Sequence, residues 1–159
     1  MHHIVSFSGG KDSTAMLLRM LEEGMQIDEI VFCNTQLEFP AMYEHIDRVE
    51  RYVDRKITRI SSKHSFEYYM FDYIKKKGKG KGSRGRSWPD FRIRWCTGDL
   101  KRDVMNRYLK QYSHPIEYHG ITIDEIQRTE SNLERNIKYP LVEWGMTDKD
   151  CLQYCYSKG

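Results

Sequence analysis

Ser6, Ser8, Gly9, Gly10, Lys11, Asp12 and Ser13 fall in one stretch, SFSGGKDST over residues 6–14. Their types and order suit the holding of an anion. Adjacent glycines let the backbone turn tightly and bring amide N–H groups against an anion with no Cβ in the way. Ser8 and Ser13 add hydroxyl donors, and Lys11 adds a point charge. The stretch follows the apolar pair Ile4-Val5 and precedes Ala15-Met16-Leu17-Leu18-Arg19-Met20-Leu21, which reads as a helix. The order is strand, glycine turn, helix, and the helix N-terminus contributes its dipole and unpaired N–H groups. Phosphate is the anion that such a loop takes. A Walker A loop is excluded, because that motif separates its first glycine from Gly-Lys-Ser/Thr by four residues. A dinucleotide fingerprint is excluded because GxGxxG is absent. Asp12 has two readings: it helps hold Mg²⁺ at the phosphates, or it complements the helix N-terminus.

Other residues with chemistry lie further along. Cys96 stands between Arg94 and the start of a helix predicted over 97–112, where a thiolate is stabilised. A nucleophile, a sulfur carrier and an iron–sulfur ligand are open roles for it, beside that of a small buried hydrophobe. The last is the reading for Cys33, which lies inside a strand. Cys151 and Cys155 share one side of a helix, but two cysteines alone do not make a metal site, so packing is their reading. Glu38 and Asp124 follow predicted strands, either as nucleotide or metal contacts or as solvated turn carboxylates. Arg94, Lys101 and Arg102 suit a phosphate or sulfate, although Lys101 and Arg102 are neighbours on a helix and cannot face the same way. From Lys75 to Arg86, glycine alternates with lysine and arginine. That run reads as a lid over nucleotide phosphates, as a contact to RNA or DNA phosphates, or as a flexible solvated loop. Trp88 and Phe91 follow it and can stack on a base. The histidines show no ligand spacing.

The elements that must position these residues are legible from the pattern. With 159 residues the chain reads as one domain, 1–159. Strands are predicted over 4–7, 29–34, 57–60 and 116–121. Helices are predicted over 13–23, 40–52, 65–76, 97–112 and 147–156, with a loop over 77–86. The first helix stops at Gly24, and the fourth is capped from Thr97 or Asp99. Strands that alternate with helices predict a mainly parallel sheet with helices on both faces, a three-layer α/β/α arrangement. Ligands in such sheets sit at the carboxyl ends of strands, where residues 8–13, 34–38, 61–64 and 120–124 should converge. The net charge of +3 does not argue for bulk nucleic-acid binding. No apolar run of about 18 residues crosses a membrane, no signal-peptide pattern opens the chain, and four cysteines are too few for a disulfide framework. A reduced, cytoplasmic protein is the expectation.

SGGKDS matches the pyrophosphate loop (PP-loop) of the adenine nucleotide alpha-hydrolase-like superfamily. Asn34-Thr35-Gln36-Leu37-Glu38-Phe39-Pro40 resembles the DTG-x-EFP element of phosphoadenosine phosphosulfate (PAPS) reductase relatives. Arg94-Trp95-Cys96-Thr97-Gly98-Asp99-Leu100-Lys101 resembles their R-x-C-x-x-x-LK segment, Gly120-Ile121-Thr122-Ile123-Asp124-Glu125 their GIRADES-like element, and Tyr139-Pro140-Leu141-Val142-Glu143-Trp144 their YPL-x-x-W element. The chain therefore resembles the PAPS reductase-like PP-loop family, which is also similar to the small subunit of ATP sulfurylase and to a DNA-phosphorothioation protein. The resemblance implies a Rossmann-like fold of the HUP/PP-loop type. It implies an adenine nucleotide, ATP or PAPS, bound through Ser6, Ser8, Gly9, Gly10, Lys11, Asp12, Ser13, Asn34, Thr35, Glu38, Arg94, Lys101, Gly120 and Asp124. Lys11, Asp12 and Cys96 would carry the chemistry, with Mg²⁺ on Asp12 and an iron–sulfur cluster not favoured. In ATP-using relatives cleavage falls between the α and β phosphates, with loss of pyrophosphate. A PAPS or adenylyl-sulfate reductase that releases sulfite through a cysteine is the alternative. A nucleotide- or nucleic-acid-binding module without turnover is a third reading. Asn34 replaces the family's usual Asp, and Thr122 stands near a usual Arg. The family's Glu-Cys-Gly-Leu-His nucleophile run does not occur, and the last cysteines are Cys151 and Cys155. A short member or a piece of a longer one is expected, with a homo-oligomer left open.

Overall fold

The structure, a computed structural model, describes residues 1–129 and 136–159. Five strands form one sheet: β1 (His3–Ser6), β2 (Glu29–Asn34), β3 (Ile57–Ser61), β4 (Ile116–His119) and β5 (Ile137–Lys138), in the order β3-β2-β1-β4-β5. β1 runs parallel to β2 (Val5 opposite Ile30) and to β4 (Val5 opposite Tyr118), and β5 runs parallel to β4. Ile4 and Val5 point to opposite faces, and both are fully buried. Burial on both faces is what a parallel sheet requires, and the predicted α/β fold is the one found. The strand order reverses at β1. In such sheets ligands bind outside the carboxyl ends of the strands at the reversal, here β1 and β4.

The chain forms two compact units. The first comprises Met1–Phe32, Pro40–Arg59 and Gln111–Gly159, and the second Cys33–Phe39 and Ile60–Lys110. In the first unit, α1 (Lys11–Glu22) buries Met16, Leu17 and Met20, and α2 (Pro40–Val53) adds Ile46 and Val49 to the same core, with Phe7, Phe32 and Ile57. A short α5 (Pro140–Glu143) inserts Leu141, and α6 (Asp148–Ser157) inserts Cys151. The indole of Trp144 donates to Glu23 (3.0 Å) and lies under the Arg19 guanidinium, 4.5 Å from its ring centroid. The YPL-x-x-W element is thus a clamp on α1. β4 ends at His119, two residues before the predicted end.

In the second unit the predicted helix over 65–76 is shorter. It is helical over 66–72, and Tyr68–Asp72 is a π-helical turn. Tyr73 leaves it in an extended conformation, and Ile74 beyond it pairs with Arg84 in place of continuing the helix. The Lys/Gly run, read as a loop over 77–86, is closed at its base as a hairpin: Ile74 bridges Arg84 antiparallel, and the Lys75 and Gly82 amides donate to Ser83 O (3.0 Å) and Lys75 O (2.8 Å). The predicted 97–112 helix starts earlier and ends earlier, as α3 (Trp95–Thr97), a π segment (Gly98–Arg102) and α4 (Asp103–Leu109) in succession. Neither Thr97 nor Asp99 caps it. The buried Trp95 sets its start, with its indole N–H on Ser87 O (2.9 Å), and Asp99 pairs with Arg86 (2.8 Å).

Candidate functional site

Gly9 is the pivot of the loop after β1. Its φ is +79°, and a Cβ there would stand 2.6 Å from Met42 Sδ and 3.2 Å from Ile46 Cγ1 of α2. Only glycine meets both conditions. Gly10 is the N-cap of α1 and provides no side-chain cap. The amides of Lys11, Asp12 and Ser13 at the head of α1 therefore have no intrahelical acceptor. The hydroxyls around them are ordered. Ser13 Oγ donates to Gly10 O (3.0 Å), so Ser8 Oγ is the donor in their 3.0 Å contact. Ser8 Oγ in turn accepts from the Gly10 amide (3.3 Å). Ser6 closes β1 opposite Val31 and His119. From β4, Gly120 comes so close that a Cβ would lie 2.9 Å from the Ser13 backbone. Two stretches expected to converge, 8–13 and 120–124, meet here.

Two partners of this loop escaped sequence reasoning. Lys11 Nζ lies 2.7 Å from Asp148 of α6 and 3.1 Å from Asp12. Burial pulls its pKa down, but hydrogen bonds to Asp148 and Asp12 outweigh that, so the ammonium sits above its ordinary value. His45, one of the histidines without ligand spacing, holds Thr14. Thr14 Oγ1 donates to Gly10 O (2.9 Å), so His45 Nε2 (3.2 Å) is the donor to it. Burial, then Arg48, lowers the His45 pKa and favours the neutral ring. The spacing of Met42, His45, Ile46 and Val49 on one face of α2 was the available signal. Asp148 had none, because its contact joins distant parts of the chain.

Asp124 accepts from the Asp148 amide (2.7 Å) and so ties the turn after β4 to the head of α6. Cys155 Sγ donates to Lys11 O (3.3 Å). Burial, then the nearby Asp12 carboxylate, pushes the Cys151 thiol up to about 12, and the same two causes raise Cys155. Both sulfurs are protonated packing groups beside the loop. The Thr122 hydroxyl is buried and, among the described residues, has no partner.

The other candidates belong to the second unit. Thr35 Oγ1 donates to Glu38 (3.0 Å), Asn34 Oδ1 accepts from the Gln36 amide (2.8 Å), and Lys101 stands 3.7 Å from Glu38. Cys33 Sγ lies 3.8 Å from Lys101 O. Arg94 is exposed at the N-cap of α3. Cys96 is inside the first turn of α3, not before it, and packs half-buried against the Tyr69, Trp95 and Leu100 cluster. Among the described residues no three His, Cys, Asp or Glu side chains gather as a metal site. A cluster held by three or four cysteines does not fit them. Mg²⁺ asks for less, one or two carboxylates together with phosphate oxygens and water, and Asp12 meets that need.

The loop at the switch point of a parallel sheet places this chain among the PP-loop α/β proteins. It belongs to the phosphoadenosine phosphosulfate reductase domain family, whose match covers residues 2–158. It is 26% identical over 152 residues to the uncharacterized protein MJ0973 of Methanocaldococcus jannaschii, covering 90% of this chain and 33% of that protein. It is 31% identical over 109 residues to MJ0066 of the same organism, covering 68% of this chain and 20% of that protein. The chain thus spans a third or less of these relatives. The fold is similar to the crystal structure of PAPS reductase from Candida auris in complex with phosphate, with a TM-score of 0.63 at 15% identity over 97% of this chain and 71% of that one. It is also similar to the U34-tRNA thiolase NcsA from Methanococcus maripaludis with its [4Fe-4S] cluster, with a TM-score of 0.54 at 13% identity over 98% of this chain and 55% of that one. No helix among the described residues is long and apolar enough to cross a membrane.

Proposed function

We propose that the chain acts as a single PP-loop nucleotide-binding domain that takes ATP and directs its cleavage between the α and β phosphates. An oxygen nucleophile of an acceptor attacks the α phosphorus, an acceptor adenylate forms, and pyrophosphate leaves. The uncapped head of α1 carries this reading. There, the amides of Lys11, Asp12 and Ser13 stand over a glycine turn. Negative charge grows on the departing pyrophosphate, and preorganised amides with the Lys11 ammonium stabilise it. Lys11 would exchange Asp148 and Asp12 for phosphate oxygens. Asp12 would hold Mg²⁺, which when bound neutralises phosphate charge.

The family's name favours PAPS as a second ligand. Sulfite release from PAPS asks for a thiolate, and the two thiols beside the loop, Cys151 and Cys155, are both held protonated. That supports ATP over PAPS in this unit. Calorimetry with ATP–Mg²⁺ and with PAPS, followed by a pyrophosphate assay on the ATP sample, tests the reading. ATP binding that yields pyrophosphate and is abolished by Lys11→Ala is the expected result. PAPS preferred without pyrophosphate, or ATP bound equally by the Lys11 variant, overturns it.

A further inference from the structure

Lys75, Lys76, Lys77, Lys79 and Lys81 stand on the hairpin of the second unit, and among the described residues none of them pairs with a carboxylate. The two arginines of the same hairpin are committed to the fold. Arg84 lies 2.6 Å from Asp72, and Arg86 lies 2.8 Å from Asp99, with its guanidinium 4.4 Å from the Tyr73 ring centroid. The base of the hairpin is anchored. The Gly85 amide donates to Tyr73 O (2.7 Å) and the Arg86 amide to Tyr69 O (3.0 Å). Gly85 has φ +74°, and a Cβ there would meet Met70 O at 2.5 Å. The lysines are thus held out from a folded base, not strung on a loose loop. Unneutralised charge of one sign on so short a segment repels itself and attracts a polyanion.

The segment that follows exposes flat apolar rings. Trp88 is 70% exposed, and its ring meets that of Phe66 edge-on. Phe91 is 81% exposed. Asp90 Oδ1 accepts from the Arg92 and Ile93 amides (2.7 Å each), a fixed turn that leaves Phe91 outward with the Arg92 guanidinium 5.0 Å from its ring centroid. A cavity of about 460 Å³ in the same unit is lined by Lys75, Lys76, Lys77, Tyr73, Trp95 and Ile93 among others.

We propose that this face of the second unit binds single-stranded nucleic acid, with the hairpin lysines on phosphates and Trp88 and Phe91 stacked on unpaired bases. A run of lysines suits successive phosphates better than the few charges of one nucleotide, and exposed rings suit bases that are not already stacked in a duplex. RNA and DNA share these phosphates and bases, so both are measured. The inference goes beyond the ATP reading and does not rest on it.

The test is fluorescence anisotropy of the full chain with labelled RNA, single-stranded DNA and duplex DNA of about 15 nucleotides, over a range of salt. Single strands are expected to bind more tightly than the duplex, and the better of RNA and DNA names the source. Replacing Lys75, Lys77, Lys79 and Lys81 by Gln should flatten the dependence of log affinity on log salt by about 0.7 per lysine. Trp88→Ala and Phe91→Ala should each weaken binding about fivefold or more without changing that slope. Circular dichroism checks that each variant folds. Absence of single-strand binding overturns the proposal, as do equal affinity for the duplex and aromatic variants without effect. The pyrophosphate assay reads the first unit separately, so the two proposals fail independently.

Discussion

At the scale of residues, the loop depends on groups that cannot be exchanged for near neighbours in type. Gly9 needs both a positive φ and empty space, and Gly120 needs the space alone, because the Ser13 backbone would meet its Cβ. Cys151 illustrates the reverse case, a residue of reactive type placed where it cannot react. Its exposure is 0%, and its thiol is raised from an ordinary 9.0 to about 12, by burial first and by Asp12 second. The native thiol should resist iodoacetamide at pH 8 and react once the chain is unfolded in denaturant. The pH dependence has a definite sign. Between about 9 and 12 the unfolded chain has lost the Cys151 proton while the folded chain keeps it. Stability should therefore be fully present below pH 9 and fall as pH rises through that window. Denaturant midpoints measured across it check this, and Cys151→Ala should lose the Cys151 part of the slope. Fast alkylation of native Cys151 would contradict its placement and reopen a thiolate role.

At the scale of elements, the head of α6 is built to be stable. Thr147 accepts from the Asp150 amide (3.1 Å), and Asp150 accepts from the Thr147 amide (2.9 Å), a reciprocal capping box. Asp124 adds an acceptor for the Asp148 amide. Thr147→Ala should lower stability by about 1 kcal/mol, read from urea unfolding. Asp124→Ala should lower it similarly while nucleotide affinity changes less than with Lys11→Ala; an equal loss of affinity would put the Asp124 carboxylate on the ligand instead. Elements with a strong local signal were legible. β2 is a continuous apolar run bounded by polar residues, and α1 ends at a glycine with φ +66°. β5 has two residues and α5 four, too few for any period to show. The π segments and the hairpin were not legible, because tertiary contacts fix them: Trp95 to Ser87, Arg86 to Asp99, Arg86 to the rings. In the site, the loop was readable from local spacing. His45 was legible only as part of the inward face of α2, and Asp148 was not legible at all, because its contact with Lys11 joins segments far apart in sequence.

At the scale of the whole molecule, the two units differ in how they are held together. The first has a sheet whose Ile4, Val5, Ile30 and Val31 are buried, under helices that add Met16, Leu17, Ile46 and Leu141 at 0% exposure. The second has a smaller cluster of Tyr69, Trp95 and Leu100, with Val104, Met105 and Leu109 buried on α4, and it leaves Phe71, Ile74, Trp88 and Phe91 at the surface. Local stability follows buried apolar contact, since a segment with little of it opens without the rest of the chain. Native-state hydrogen exchange should therefore separate the units. Amides of β1, β2 and β4 should exchange only through global unfolding, and those of Lys75 and Gly82 in the hairpin much faster. ATP–Mg²⁺ should slow exchange at Lys11, Asp12 and Ser13, whose amides would meet phosphate. Single-stranded nucleic acid should instead slow the hairpin. Each ligand then has its own footprint. If ATP slowed the hairpin and left the head of α1 unchanged, the lysines and not the glycine turn would be the phosphate site.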